Sequence, residues 1–146
     1  MNCALELLTI KEEAKKQFEI EEALKDIAAY NKFETIKKNT INFCDTEINN
    51  TLVEKAKSRC NICFQLKISL CEDRLGNVLF LPVIPERHRY ANGQQSYTVD
   101  TSKQYSLSIL KEYLETHCIN IELINSSYMC YGYGCQEAKW LRVWVD

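Results

Sequence analysis

The first 75 residues contain neither glycine nor proline, and no other feature constrains the fold as much. Without the two strongest local breakers, an apolar pattern with helical spacing runs on unpunctuated. Leu7, Ile10, Ala14, Phe18, Glu21, Leu24 and Ile27 or Ala28 recur at three- and four-residue steps, with Glu and Lys between them at pairing distance. Thr9 and Glu12 have capping-box spacing, which places the regular helix start near Ile10. A second stripe runs through Phe33, Ile36, Thr40, Phe43, Ile48, Leu52 and Ala56. One helix of such length is unusual in a small domain, so a break is expected at Lys37–Asn42 or Cys44–Thr46. Asp45 or Thr46 would then cap the next helix.

Beyond residue 58 the period changes. Ile62, Phe64, Leu66, Ile68 and Leu70 alternate with Cys63, Gln65, Lys67, Ser69 and Cys71, the pattern of a strand with one buried face. Glu72–Asn77 reads as a turn, and Val78–Ile84 as a second strand. Pro82 and Pro85 remove ladder donors, so that strand is expected at an edge or ending early. Glu86–Gln95 reads as an exposed loop around Asn92-Gly93, and Ser96–Val99 as a short strand. Asp100 is placed as the cap of a helix from Thr101 to Cys118, with Leu107, Leu110, Leu114 and His117 or Cys118 as its inner stripe, widened by Ile109 and Tyr113. Two apolar runs, Ile119–Ile124 and Trp140–Val145, close the chain around a long loop, Asn125–Glu137. Strands close in sequence favour antiparallel pairing. The expected class is α+β: an N-terminal helical region and a mainly antiparallel sheet of four to five strands with one further helix packed on it. One domain is expected over 1–146, its residues 1–58 also suited to a dimerisation arm and 59–146 forming the α+β core.

Composition narrows the function classes. The net charge is −2, and residues 1–60 carry 10 basic and 11 acidic groups, so no extended nucleic-acid surface is expected. No apolar run reaches the length of a membrane span, and Met1–Ile10 lacks the layout of a signal peptide, which points to a cytoplasmic location with reduced thiols.

Three constellations are candidates for function. Cys60-Asn-Ile-Cys63 has zinc-knuckle spacing, and Cys130 and Cys135 are a looser pair; a thiolate site requires the two pairs to meet in space. The rival reading, which is favoured, treats these cysteines as small reduced apolar residues, with no metal and no cofactor. Arg87-His88-Arg89-Tyr90 is a basic segment able to hold phosphates, or else a solvated loop. Tyr128, Met129, Tyr131 and Tyr133 lie within six residues beside two glycines; tyrosines offer large contact area and a polar tip at recognition surfaces. No phosphate loop, nucleophile elbow or zincin motif occurs, and the neighbours His117 and Cys118 are both expected near the core, so no catalytic residue is assigned.

The layout carries a resemblance. Val53-Glu-Lys-Ala-Lys-Ser-Arg-Cys60 runs into an alternating strand, Ile109–Cys118 leads into Ile119–Leu123, and Trp140-Leu-Arg-Val-Trp144 closes the chain. Over residues 50–146 this resembles small bacteriophage and prophage proteins of low-GC bacteria, and the Lys-, Asn- and Ile-rich composition fits an AT-rich genome. The resemblance transfers no functional residue. It implies a non-enzymatic protein that binds and inhibits a host protein or defence complex; the tyrosine cluster itself names the Tyr128–Gln136 loop as the contact. The alternatives are a nucleotide-sequestering protein using Arg87, His88, Arg89 and a stacked tyrosine, and a zinc-stapled structural module.

Overall fold

The computed structural model describes the backbone of residues 1–89, 95–130 and 134–146, and side chains within those ranges outside 85–97 and 126–138. The chain folds as an α+β structure. Helix α1 spans Ala4–Phe43, a π-helical turn spans Cys44–Ile48, and α2 spans Asn49–Lys57. Strand β1 (Cys63–Glu72), β2 (Val78–Arg89), β3 (Gln95–Val99) and β4 (Tyr105–Ser106) come next, then α3 (Leu107–Thr116), β5 (Asn120–Cys130) and β6 (Gly134–Trp144).

The expected break in the N-terminal helical region is a change of winding instead. Phe43, Cys44 and Asn49 all keep right-handed helical backbone, and the Asn49 N–H reaches back five residues to the Cys44 carbonyl. Asp45 and Thr46 do not cap α2: Thr46 Oγ1 donates to the Asn42 carbonyl at 2.7 Å, and Asp45 serves another element. Helix α1 also begins earlier than the Thr9–Glu12 spacing implies. The Glu6 carboxylate accepts from the Cys3 N–H at 3.3 Å, while the Thr9 hydroxyl turns back to the Leu5 carbonyl.

The π turn has a packing reason. At 100° per residue, Phe33, Ile36, Thr40 and Phe43 share one face, but Ile48 and Leu52 would drift roughly 100° off it. The extra residue in the turn restores them, and Ile36, Thr40, Phe43, Ile48 and Leu52 are all buried. Ala56 alone of that stripe stays exposed.

The sheet runs β3-β2-β1-β6-β5, with β4 beside β2, and every pairing is antiparallel. Phe64, Leu66, Ile68 and Leu70 share a face with Phe80, Leu141 and Val143, and the helices cover it. Phe80 and Leu110 are wholly buried there, with Phe43 stacked on Tyr105 at 4.4 Å between ring centres. The Thr40 hydroxyl accepts from the Ser106 N–H at 2.9 Å and donates to the Ile36 carbonyl at 2.7 Å, which ties α1 to the β4 edge with no orphan polar group.

Strand β2 lies inside the sheet, contrary to what its prolines suggest. The ladder with β1 ends at Ile68–Pro82 and the ladder with β3 begins at Val83–Val99, so the missing N–H of Pro82 falls where β2 changes neighbours. Its carbonyl accepts from the Asp100 N–H. The register shift between Pro85 and Arg89 absorbs the second proline. The stretch read as a loop, Glu86–Arg89, therefore continues β2.

Helix α3 is shorter than expected and differently capped. Asp100 accepts from the Ser102 N–H and hydroxyl and closes a turn, while the Ser106 hydroxyl accepts from Ile109 N–H and caps α3. Leu110 and Leu114 are buried as the stripe implies, but His117 and Cys118 are exposed. Cys118 takes φ +59° at the position after the helix, and its N–H and that of Ile119 close the last turn onto Glu115 and Leu114 carbonyls.

Candidate functional site

The N-terminal half of α1 is an exposed surface element. Every residue from Met1 to Glu21 is exposed. The first tie to the sheet comes at Glu22 and Asp26, both bound by Arg74 of the β1–β2 turn, the Asp26 contact at 2.6 Å. The helix preceding Glu22 spans 18 residues (Ala4–Glu21), roughly 27 Å. Leu5, Leu7, Leu8, Ile10 and Phe18 along it, and Ile20, Leu24, Ile27 and Tyr30 close to the tie, keep 52–75% of their surface exposed. The apolar stripe expected over Leu7–Ala28 therefore exists as a pattern but has no cover among the described residues. Leu7, Ile10, Ala14 and Phe18 lie on one side, Ile20, Ile27 and Tyr30 lie roughly 160° around the helix, and Leu24 falls between the two groups.

The register separates the two candidate binding segments. The rung Pro82–Ile68–Lys139 crosses three strands. From it β2 runs seven residues towards the Cys63 end of β1, to Arg89, while β6 runs five residues towards the Glu72 end, to Gly134. Arg87, His88 and Arg89 thus lie on a strand leaving one end of the sheet, and Tyr128 and Met129 lie on a hairpin leaving the other. The long loop expected at Asn125–Glu137 is mostly paired strand, with rungs at Tyr128–Gln136, Met129–Cys135 and Cys130–Gly134. Tyr131 and Tyr133 fall outside the described residues, as do the side chains of Tyr128, Met129, Arg87, His88 and Arg89. This register sets the backbone of the basic segment and that of Tyr128 at opposite ends of the sheet. The hairpin shares its end of the sheet with the Arg74 turn, past which the N-terminal arm extends.

The same register bears on zinc. Cys63 pairs with Trp144, whereas Cys135 lies nine residues away along β6, roughly 30 Å. The two cysteine pairs therefore do not meet around one ion within a chain. Among the described residues no group of three or more His, Cys, Asp or Glu side chains is placed to hold a metal. Cys60 is exposed and follows Arg59, whose φ of +59° makes the helix-ending turn without a glycine. Cys44 is buried, and burial pushes its thiol up to about 12, which leaves it unreactive at neutral pH.

Two arrangements have no signal in the local sequence pattern. The Tyr113 hydroxyl donates to Asp45 at 2.5 Å, 68 positions away, and clasps the π turn to α3. That hydrogen bond, with burial second, raises the Tyr113 pKa, and the His117 ring packs on Tyr113 at 4.5 Å. On the sheet face opposite Leu141 and Val143, the Lys67 ammonium lies 5.7 Å from the Trp140 ring and the Arg142 guanidinium 4.7 Å from that of Trp144. Period-two alternation places those four side chains on one face, but their pairing depends on register and is not readable from one strand.

A groove of about 230 Å³ lies between α1 and the β1–β2 turn, lined by Ala29, Phe33, Ile36, Leu79 and the charged Lys32, Asp73 and Arg74. It is smaller than the pockets of roughly 300–1,000 Å³ that hold drug-sized ligands, and Arg74 is already engaged by Glu22 and Asp26. Among the described residues no helix is long and apolar enough to cross a membrane. No family model, curated protein or solved structure matches the chain.

Proposed function

We propose that this chain is a non-enzymatic binding protein that works through contact with other protein, and that its N-terminal arm is a contact surface. The exposed arm carries the reading. A contiguous apolar patch above a few hundred Å² is rare on a protein that stays alone. A lone helix of about 20 residues is also marginal in water, because its hydrogen bonds do not offset the ordering of the chain. The resemblance to phage proteins adds a target: a host protein or defence complex in the host cytoplasm, inhibited by occupation. The Tyr128–Gln136 hairpin is the proposed contact for that target, at the end of the sheet past which the arm extends.

Cross-linking in host lysate, compared between the full chain, a Leu7→Lys/Leu24→Lys variant and a Tyr128→Ala/Tyr131→Ala/Tyr133→Ala variant, tests both surfaces. Each variant should lose a cross-linked species while keeping the melting temperature of the body. A cross-link pattern unchanged in both would overturn the proposal.

A further inference from the structure

We infer that the partner of the arm is a second copy of this chain, joined by antiparallel pairing of the two α1 helices; this rests on the arm being a protein contact. The available area is sufficient. Residues 4–30 form about 40 Å of helix, and half the surface of a cylinder 10–12 Å across over that length is roughly 700 Å². Two such strips bury roughly 1,400 Å² in total, within the range of about 1,200–2,000 Å² of stable two-protein interfaces.

The arm also carries a seam. Leu7, Ile10, Ala14, Gln17, Glu21, Leu24 and Ala28 fall on alternating three- and four-residue steps, the spacing of a helix pair. Phe18, Ile20 and Ile27 flank it and widen the apolar strip. At 100° per residue the seam lies roughly 90° from the face that Phe33, Ile36, Thr40 and Phe43 turn to the sheet. A partner helix on the seam therefore lies beside the body and not against it.

Charge selects the direction. Parallel pairing would bury Glu21 against its own copy, two like charges in a desolvated seam. Antiparallel pairing sets Leu7 against Leu24 of the other copy, Ala14 against Gln17 and Ile10 against Glu21. The flanking Glu13 then meets Ile20, and Lys11 meets Phe18, so no like charges face each other across the pair. Arg74 holds Glu22 and Asp26 of α1 on each body, which aims the two arms past one another.

Light scattering on the purified full chain tests this, beside the Leu7→Lys/Leu24→Lys variant. The expected mass is that of a dimer at tens of micromolar, halved in the variant, with an unchanged near-ultraviolet signal from Trp140 and Trp144. Antiparallel arms keep Cys3 of one copy level with Ala28 of the other, so mild oxidation should give no Cys3–Cys3 disulfide between copies; finding one would overturn the stated direction. A dimer unaffected by the variant would overturn the inference. So would a monomer throughout; if arm-dependent cross-links to another protein then persist in lysate, the proposed function stands and only the second copy is lost. A monomer with no arm-dependent species anywhere would remove both.

Discussion

Residues 4–30 and residues 33–52 lie on one continuous helical run and differ in what their apolar side chains do. In the second region Phe33, Ile36, Thr40 and Phe43 keep to one face, and the π turn rotates Ile48 and Leu52 back onto it. In the first region the large apolar residues divide between two faces, and all of them stay exposed. Apolar content and helical period thus establish the helix but not its environment. A sheet stabilises a helix that keeps one side to it, whereas a helix with apolar residues on two sides is suited to more than one neighbour.

The sharpest way to break that comparison is to overload the turn that aligns the second region. Inserting an alanine after Thr46, an exposed residue of the π turn, adds a second surplus residue and should carry Ile48 and Leu52 roughly 100° away from Phe43. Losing the burial of two large aliphatic side chains costs about 4 kcal/mol or more of unfolding free energy, measured by urea titration. A loss under about 1 kcal/mol would show that the turn does not set the alignment.

A pair of matched truncations comes next. Phe43 stacks on Tyr105 and meets Phe80 edge-on, whereas Phe18 is 61% exposed on the same helix. Phe43→Ala should cost about 3–5 kcal/mol through lost burial and the cavity left behind. Phe18→Ala, measured in dilute protein where arms are apart, should change the stability of the body by no more than about 0.5 kcal/mol. Comparable losses would mean that the arm packs on its own body, and would erase the distinction between the regions.

Much of the second region was legible, but its break was expected from helix length alone, whereas the five-residue step from Phe43 to Ile48 is the period of a π turn. The alternation in β1 was legible for the same reason: one buried face imposes period two. Pro82 misled because a proline forbids one ladder bond, and a strand that changes neighbours at that residue does not need it. Asp100 misled because it stands seven residues before α3, with the Ser102 turn and β4 between, and the cap belongs to Ser106. The candidate site was legible only as types of residue. That the basic segment and the tyrosine hairpin leave opposite ends of the sheet depends on register, set by partners as distant in the chain as Cys63 and Trp144. The clasp between Asp45 and Tyr113 is long-range in the same way.

The smallest expected effect lies where the two regions join. Arg74 binds Glu22 and Asp26 at the point where the arm leaves the body, and its hydrogen bond to Glu22 holds that carboxyl below the usual glutamate range. A carboxyl whose folded pKa is depressed supports the folded contact at every pH above its unfolded value, about 4.3, and loses that support as pH falls through the lower, folded value. The tie should therefore be complete at neutral pH and weaken only in acid. Because the pair is solvent-exposed, added salt should weaken it as well. Arg74→Ala should return the Glu22 titration midpoint, followed by its carboxyl NMR shift, towards the ordinary value. It should also speed amide exchange in the turn of α1 around Glu22–Asp26, while the melting temperature of the body moves by no more than about 2 °C. If exchange there stays as slow as with Arg74 in place, the arm is oriented by something other than Arg74, and the boundary between the uncovered and the anchored helix lies closer to Phe33.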